Sequence, residues 1–172
     1  MPPPPFPEAY WVAPGHLLAG SYPGSRVPER ARERITRLLD AGITYFLDLT
    51  EAGELPPYRP LLLGKAGHRR MPIPDFDVPA PQTMQRILDL IDYRLLKGDV
   101  VYVHCQAGLG RTGTVVDCYL VRQGLSGQAA LQEIGRLRQI TSFPRSRSPE
   151  TRAQRRLVLQ WERRQNSVAG HF

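Results

Sequence analysis

Only two cysteines, Cys105 and Cys118, occur among the 172 residues, too few for a framework of disulfides. A free thiol points to a reducing compartment, so the expected location is the cytoplasm. Lysine is equally scarce, since only Lys65 and Lys97 stand among 23 basic residues. The net charge of +7 suits acidic partners. An arginine bias from a GC-rich genome explains it equally well, and no dense basic run interleaved with aromatics argues for nucleic acid. No apolar run approaches the ~18 residues that a membrane span requires. Met1 is followed by four prolines, not by a charged and then apolar leader. Residues spaced as metal ligands are missing as well, so neither metal nor other cofactor is expected. With 41% hydrophobic and 23% charged residues, the chain reads as a soluble globular protein. The expectation is a single domain over residues 1–172, a monomer, with a flexible proline-rich stretch at 1–8.

What is present alternates between strand and helix patterns. His16–Gly20 reads as a first strand, and Pro28 opens a helix to Ala41 with Ile35, Leu38 and Leu39 on one face. Arg30, Arg32, Arg34 and Arg37 read as its solvated surface. Residues 43–50 are β-branched and aromatic, a strand. The loop after it carries Glu51 and Glu54, acids that could touch a site but are read as solvated. A short helix at 58–66 and a strand over 68–72 follow, with His68 read as structural. Residues 71–81 hold Asp75 and Asp77 in a proline-stiffened loop. Pro81 begins a helix marked by Met84, Ile87, Leu88, Ile91 and Leu95. The apolar run Val100–Val103 reads as the buried central strand leading to a glycine-rich turn, and helices follow to Gln123 and from Ser126. Ser148-Pro149-Glu150 starts a last helix with serine as cap, proline in the first turn and an acid near the positive end. The alternation predicts an α/β fold: a mostly parallel central sheet of about four to five strands, with helices on both faces. Open sheets of this kind bind ligands beyond the carboxyl ends of their strands.

The turn His104-Cys105-Gln106-Ala107-Gly108-Leu109-Gly110-Arg111-Thr112-Gly113 sits at such an end. It aims backbone N–H groups and a helix N-terminus at one point, as a tetrahedral oxyanion requires. Gly108 and Gly110 permit the curled backbone that turns the N–H groups of residues 106–111 inward. Arg111 adds a planar bidentate clamp, and Cys105 adds a nucleophile that attacks only as the thiolate. Cys118 reads as a core residue on the helix behind the turn.

His-Cys-x5-Arg-Thr resembles the signature of cysteine-dependent protein phosphatases, and the chain looks most like the small atypical dual-specificity type. The stretch from Trp11 through Gly24 resembles the opening of bacterial members. The resemblance implies a protein-tyrosine-phosphatase-like three-layer sandwich and hydrolysis through a phosphocysteine, with Cys105, Arg111 and an aspartate as catalytic residues. It also implies that Gln106, Ala107, Gly108, Leu109, Gly110 and Arg111 bind phosphate. His104 would support the loop, and Thr112 would give its hydroxyl to the cysteine sulfur. Ile73-Pro74-Asp75-Phe76, thirty residues before the cysteine, looks like the acid loop, so Asp75 is the expected proton donor. Asp77 competes with it, and either could instead cap the helix after Pro81. Ser148-Pro149-Glu150-Thr151 resembles a stretch near the site in small members, which makes Glu150 a candidate for assisting water.

Departures from related loops bear on substrate. Lipid phosphatases of the superfamily tend to carry lysines inside the loop, whereas Gln106, Ala107 and Leu109 are uncharged. RNA triphosphatase relatives usually show Asn where Gly110 stands. The aromatic loop that deepens the pocket of large tyrosine-specific enzymes has no clear counterpart. A phosphorylated protein or peptide is therefore the expected partner, guided by Arg69, Arg70, Arg145 and Arg147 if these are more than solvated charge. Phosphoinositide hydrolysis and a non-catalytic phosphate-binding module are the alternatives.

Overall fold

The computed structural model describes residues 3–169, with side chains described to Trp161. Residues 1 and 2 of the expected flexible stretch lie outside the described residues. Five strands form one sheet in the order β1-β2-β5-β3-β4. They are β1 (Tyr10–Ala13), β2 (Leu17–Gly20), β3 (Tyr45–Asp48), β4 (Gly67–Arg70) and β5 (Val101–His104). β1 and β2 make an antiparallel hairpin, while β2, β5, β3 and β4 run parallel. The helices are α1 (Pro28–Asp40), α2 (Pro81–Leu96), α3 (Gly110–Arg122), α4 (Gly127–Leu137) and α5 (Arg152–Ala169). The short helix expected over 58–66 is a 3₁₀ turn, Arg59–Leu62.

The central strand β5 shows how period-2 alternation builds two cores. Val101 and Val103 pack with Met84, Ile87, Val115, Ile134 and Val158 of α2 to α5. Tyr102 packs on the opposite face with Ile35 and Leu38 of α1 and Leu62 of the 3₁₀ turn. The two layers of helix and the sheet between them are the three-layer α/β architecture expected from the sequence. At the carboxyl ends the parallel register aligns Gly20, His104, Asp48 and Arg70 in a single row across β2, β5, β3 and β4.

Three local expectations need correction. The proline-rich start is anchored by residue 6: Phe6 is 4% exposed, edge-on to Tyr102 and covered by the Arg34 guanidinium. Arg34 itself is not solvated surface. It donates to Ser21 Oγ and Tyr22 O and pairs with Glu8, tying α1 to the loop after β2. The last helix begins at Arg152, not at Ser148. Ser148 Oγ donates instead to Leu109 O, 2.8 Å away, and Thr151 Oγ1 receives the Gln154 N–H as the cap.

Candidate active site

The turn between β5 and α3 is buried at its base. Cys105 is 3% exposed and His104, Arg111 and Thr112 are nearly or fully enclosed. Gly108 adopts φ +75°, and a Cβ there would lie 2.5 Å from Gly20 C, so both the curl and the close approach require glycine. Tyr22 N–H donates to Gln106 O at 2.9 Å and fixes the turn against the loop after β2. The Gly110 N–H donates to the Glu150 carboxylate. The N–H groups of residues 106–109 donate to no group among the described residues. Such a run of free donors at a helix start forms an oxyanion cradle.

His104 faces away from the cradle, as its supporting role implies. Its Nδ1–H donates to Cys105 O at 3.0 Å, which leaves Nε2 to accept from the Tyr58 hydroxyl at 2.6 Å. Burial lowers the imidazole pKa to about 4 despite the nearby Asp48 carboxylate, so the ring is neutral at pH 7. The 4.0 Å approach to Asp48 is therefore not an ion pair at neutral pH. Burial acts to raise the Asp48 pKa, but hydrogen bonds from His68 and from the Thr50 hydroxyl and backbone N–H hold it well below the usual carboxylate range. The Thr112 hydroxyl is buried and has no hydrogen-bond partner among the described residues. The bond to the cysteine sulfur implied by resemblance is not made here.

Arg111 brings in a residue read as solvated from sequence. Its Nη1 and Nη2 grip Glu54 at 2.8 and 2.6 Å, a two-pronged pair, and Nη1 also donates to Ile73 O. Burial opposes the guanidinium charge, and the Glu54 hydrogen bonds together with the Cys105 and Asp75 charges overcome it, raising the Arg111 pKa. Arg111 in turn holds the Glu54 carboxyl below its ordinary range. The Arg111 Nε is buried with no partner among the described residues. Glu51, three residues earlier, gives its backbone N–H to Glu54 Oε2. Tyr22 joins this arrangement through its hydroxyl, which donates to Pro56 O and clasps the Glu54 loop. Tyr22 lies in the opening stretch Trp11–Gly24 that resembles bacterial members, but nothing local in the sequence marks its contact with the Glu54 loop or sets Glu54 apart from Glu51.

Asp75 Oδ1 lies 3.2 Å from Arg111 Nη2, at the same cluster. The Asp77 carboxylate turns to the Val78 N–H instead, and its backbone O accepts from Gln154 Nε2. Neither aspartate caps α2, whose N-cap Ala80 receives no side-chain bond. Glu150 stands against Gly110, at the end of the cradle that leads into α3, where burial first and then Asp75 raise its pKa. It touches the turn and is not confined to compensating the α5 dipole. Fully buried Gln154, absent from the sequence reading, accepts the Glu150 and Thr151 N–H groups and holds that segment beside the turn. Cys118 is fully buried in the core behind the turn, as expected, and burial pushes its thiol up.

A thiol, a caged guanidinium and an aspartate arranged around unpaired backbone donors fit the class of proteins that bind a tetrahedral oxyanion at a strand-to-helix turn. The chain belongs to the family described as the Swiss Army Knife protein DSP-PTPase phosphatase domain, which matches residues 7–171. It is 44% identical over 55 residues to the mouse dual specificity protein phosphatase CDC14B, covering 32% of this chain and 11% of that protein. To the Arabidopsis thaliana phosphatidylglycerophosphate phosphatase PTPMT2 it is 29% identical over 126 residues, covering 72% of this chain and 52% of that one. The chain thus spans from about a tenth to about half of these relatives. The crystal structure of Tk-PTP in its active form superposes with a TM-score of 0.77 at 28% identity, covering 92% of this chain and 98% of that one.

Proposed function

We propose that this chain is a cysteine-dependent phosphate monoester hydrolase acting on phosphotyrosine, and on phosphoserine or phosphothreonine, in proteins. The observation that carries the reading is the convergence of Asp75 on Arg111 at 3.2 Å, beside the cradle that Cys105 opens. In the first step the Cys105 thiolate attacks phosphorus, the ester P–O bond breaks, and Asp75 gives its proton to the departing oxygen. Arg111 and the N–H groups of residues 106–111, that of Gly110 once the Glu150 carboxylate gives it up, hold the three phosphoryl oxygens as charge spreads over them. In the second step water attacks the phosphocysteine, gives a proton back to Asp75, and the S–P bond breaks to release phosphate and the thiolate. Glu150 is placed in this reading as a group that helps to orient that water. Attack requires a free thiol, so the reading puts the protein in a reducing compartment, the cytoplasm.

A second reading, hydrolysis of a phospholipid headgroup, draws support from the name of the Arabidopsis relative. The uncharged side chains of Gln106, Ala107 and Leu109 argue for the protein substrate, since a polyphosphate headgroup calls for cations inside the loop.

Hydrolysis of para-nitrophenyl phosphate tests the chemistry. The native chain is expected to turn it over, Cys105→Ser to abolish turnover, and Asp75→Asn to lower kcat by about 10²–10⁴-fold, the range of general acid–base catalysis. Turnover that survives Cys105→Ser overturns the reading. A larger loss from Asp77→Asn than from Asp75→Asn reassigns the acid.

A further inference from the structure

A cavity of about 300 Å³ opens beside the 3₁₀ turn, lined by Asp48, Tyr58, Arg59, His68, Arg69 and Arg70 together with Pro57. Its volume is at the lower end for small-ligand sites. Its floor is anionic but already neutralised. The buried Asp48 carboxylate accepts from Arg70 Nη2 at 3.0 Å and from Thr50, and His68 Nε2 stands 3.4 Å away. That leaves a surplus of positive charge on the walls. Arg59 and Arg69 are exposed and have no acidic or hydrogen-bonding partner among the described residues, and the Arg70 Nε is likewise unpartnered. Nothing in the chemistry assigned to Cys105, Arg111 and Asp75 uses these groups.

The cavity lies close to the cradle along two covalent routes. Arg70 stands three residues before Ile73, whose carbonyl receives Arg111 Nη1, and Tyr58 stands four residues after Glu54, which grips the same guanidinium. Three residues span at most about 10 Å. The sheet gives the same scale: Arg70 is aligned with His104 two strands away, also about 10 Å at ordinary strand spacing. In an extended peptide at about 3.3 Å per residue, that is the distance between a side chain and its neighbour two to three residues along.

We propose that this cavity is a second anion subsite, which takes an acidic or phosphorylated side chain two to three residues from the phosphoresidue being hydrolysed. The inference rests on the phosphoprotein reading of the active site and narrows its substrate class to peptides carrying two nearby negative groups. Arg59 and Arg69 supply the attraction from the rim, and Arg70, held by Asp48, supplies a fixed donor at the floor. Because the rim guanidiniums are exposed, the preference weakens as salt rises.

The test compares phosphotyrosine peptides that differ only at two or three positions from the phosphotyrosine, with glutamate or phosphoserine against glutamine or serine. The double variant Arg59→Ala/Arg69→Ala touches neither Cys105, Arg111 nor Asp75. In the native chain kcat/KM is expected to be about fivefold to tenfold higher for the acidic peptide, the scale of two exposed charge pairs. In the double variant the ratio is expected to fall to near one, with para-nitrophenyl phosphate hydrolysis unchanged. A ratio of one in the native chain, or a ratio that survives in the double variant, overturns the subsite and leaves the phosphatase reading standing. A double variant that loses turnover of a bisphosphorylated lipid in vesicles while peptide ratios stay unchanged also overturns it. If the native chain hydrolyses neither peptide nor para-nitrophenyl phosphate, the phosphoprotein reading itself falls, and the subsite with it.

Discussion

Arg111 and Glu54 form the tightest ion pair at the site, and their pairing explains how a buried guanidinium stays charged and stationary. Glu54 occupies the Nη1–Nη2 edge of the fork, and the Nε hydrogen is left as a donor on another edge. A guanidinium held this way loses less rotamer freedom when phosphate arrives, which is preorganisation in its plainest form. Replacing Glu54 with glutamine keeps the shape and removes the charge. Glu54→Gln is expected to lower kcat/KM for para-nitrophenyl phosphate by about 10²-fold, the cost of a clamp displaced by about an ångström. Steady-state kinetics with a thermal melt as control reads this out; an unchanged kcat/KM removes Glu54 from the site. The sequence showed Glu51 and Glu54 as two equivalent acids on one loop. Only the contact with Arg111 separates them.

The element that matters most is the turn from β5 into α3. Its form was legible, because an apolar strand, two glycines and a helix pattern follow one another without a gap. What the pattern could not show is how tightly the turn is wedged against the loop after β2. At Gly108 a methyl group would collide with backbone atoms of Gly20 and Ser21, which cannot swing aside as a side chain would, and φ is +75°. Gly108→Ala is therefore expected to destabilise the fold by about 1–3 kcal/mol and to lower activity by misaligning the N–H groups. Urea unfolding monitored with and without phosphate measures both effects; a variant as stable and active as the native chain shows that the turn has room. The same wedge explains the start of α5. Ser-Pro-Glu has the look of a helix N-terminus, but Ser148 is drawn to Leu109 O and Glu150 to the Gly110 N–H, so the cap passes to Thr151. A tertiary contact outcompeted a local signal of similar strength.

At the scale of the whole molecule, the helical layer behind the active site hides one uncompensated acid. Asp117 on α3 is fully buried, both its oxygens lack hydrogen-bond partners among the described residues, and burial raises its pKa to about 8. The folded chain therefore keeps this proton up to about pH 8, whereas the unfolded chain releases it near the ordinary carboxyl value of 3.8. Between those values the folded state binds more protons, so this group makes stability fall as pH rises, by up to about 1.4 kcal/mol per pH unit. His104 acts in the opposite sense. Its pKa drops from 6.5 to about 4 on folding, so stability from that group rises between pH 4 and 6.5. The difference between the native chain and Asp117→Asn isolates the first effect. Asp117→Asn is expected to gain stability relative to the native chain steadily from pH 5 to 8; parallel melting curves at every pH exclude a protonated Asp117.

The sequence by itself determined what is local. The spacing Cys105 to Arg111, the glycines between them, the strand before and the helix after are set by residues within about twenty positions, where periodicity and turn chemistry act. The α/β class followed from the same alternation. Only the tertiary structure decided which distant residues join that turn: Glu54, not Glu51, on Arg111; Asp75, not Asp77, beside it; Tyr58 on His104; Arg59, His68 and Arg70 around one cavity. Those choices depend on the strand order β1-β2-β5-β3-β4 and on the row that aligns His104, Asp48 and Arg70. Strand order is a property of long-range packing, and no local pattern records it. The turn from His104 to Gly113 thus carries its own geometry, while its electrostatic surroundings come from the sheet that presents it.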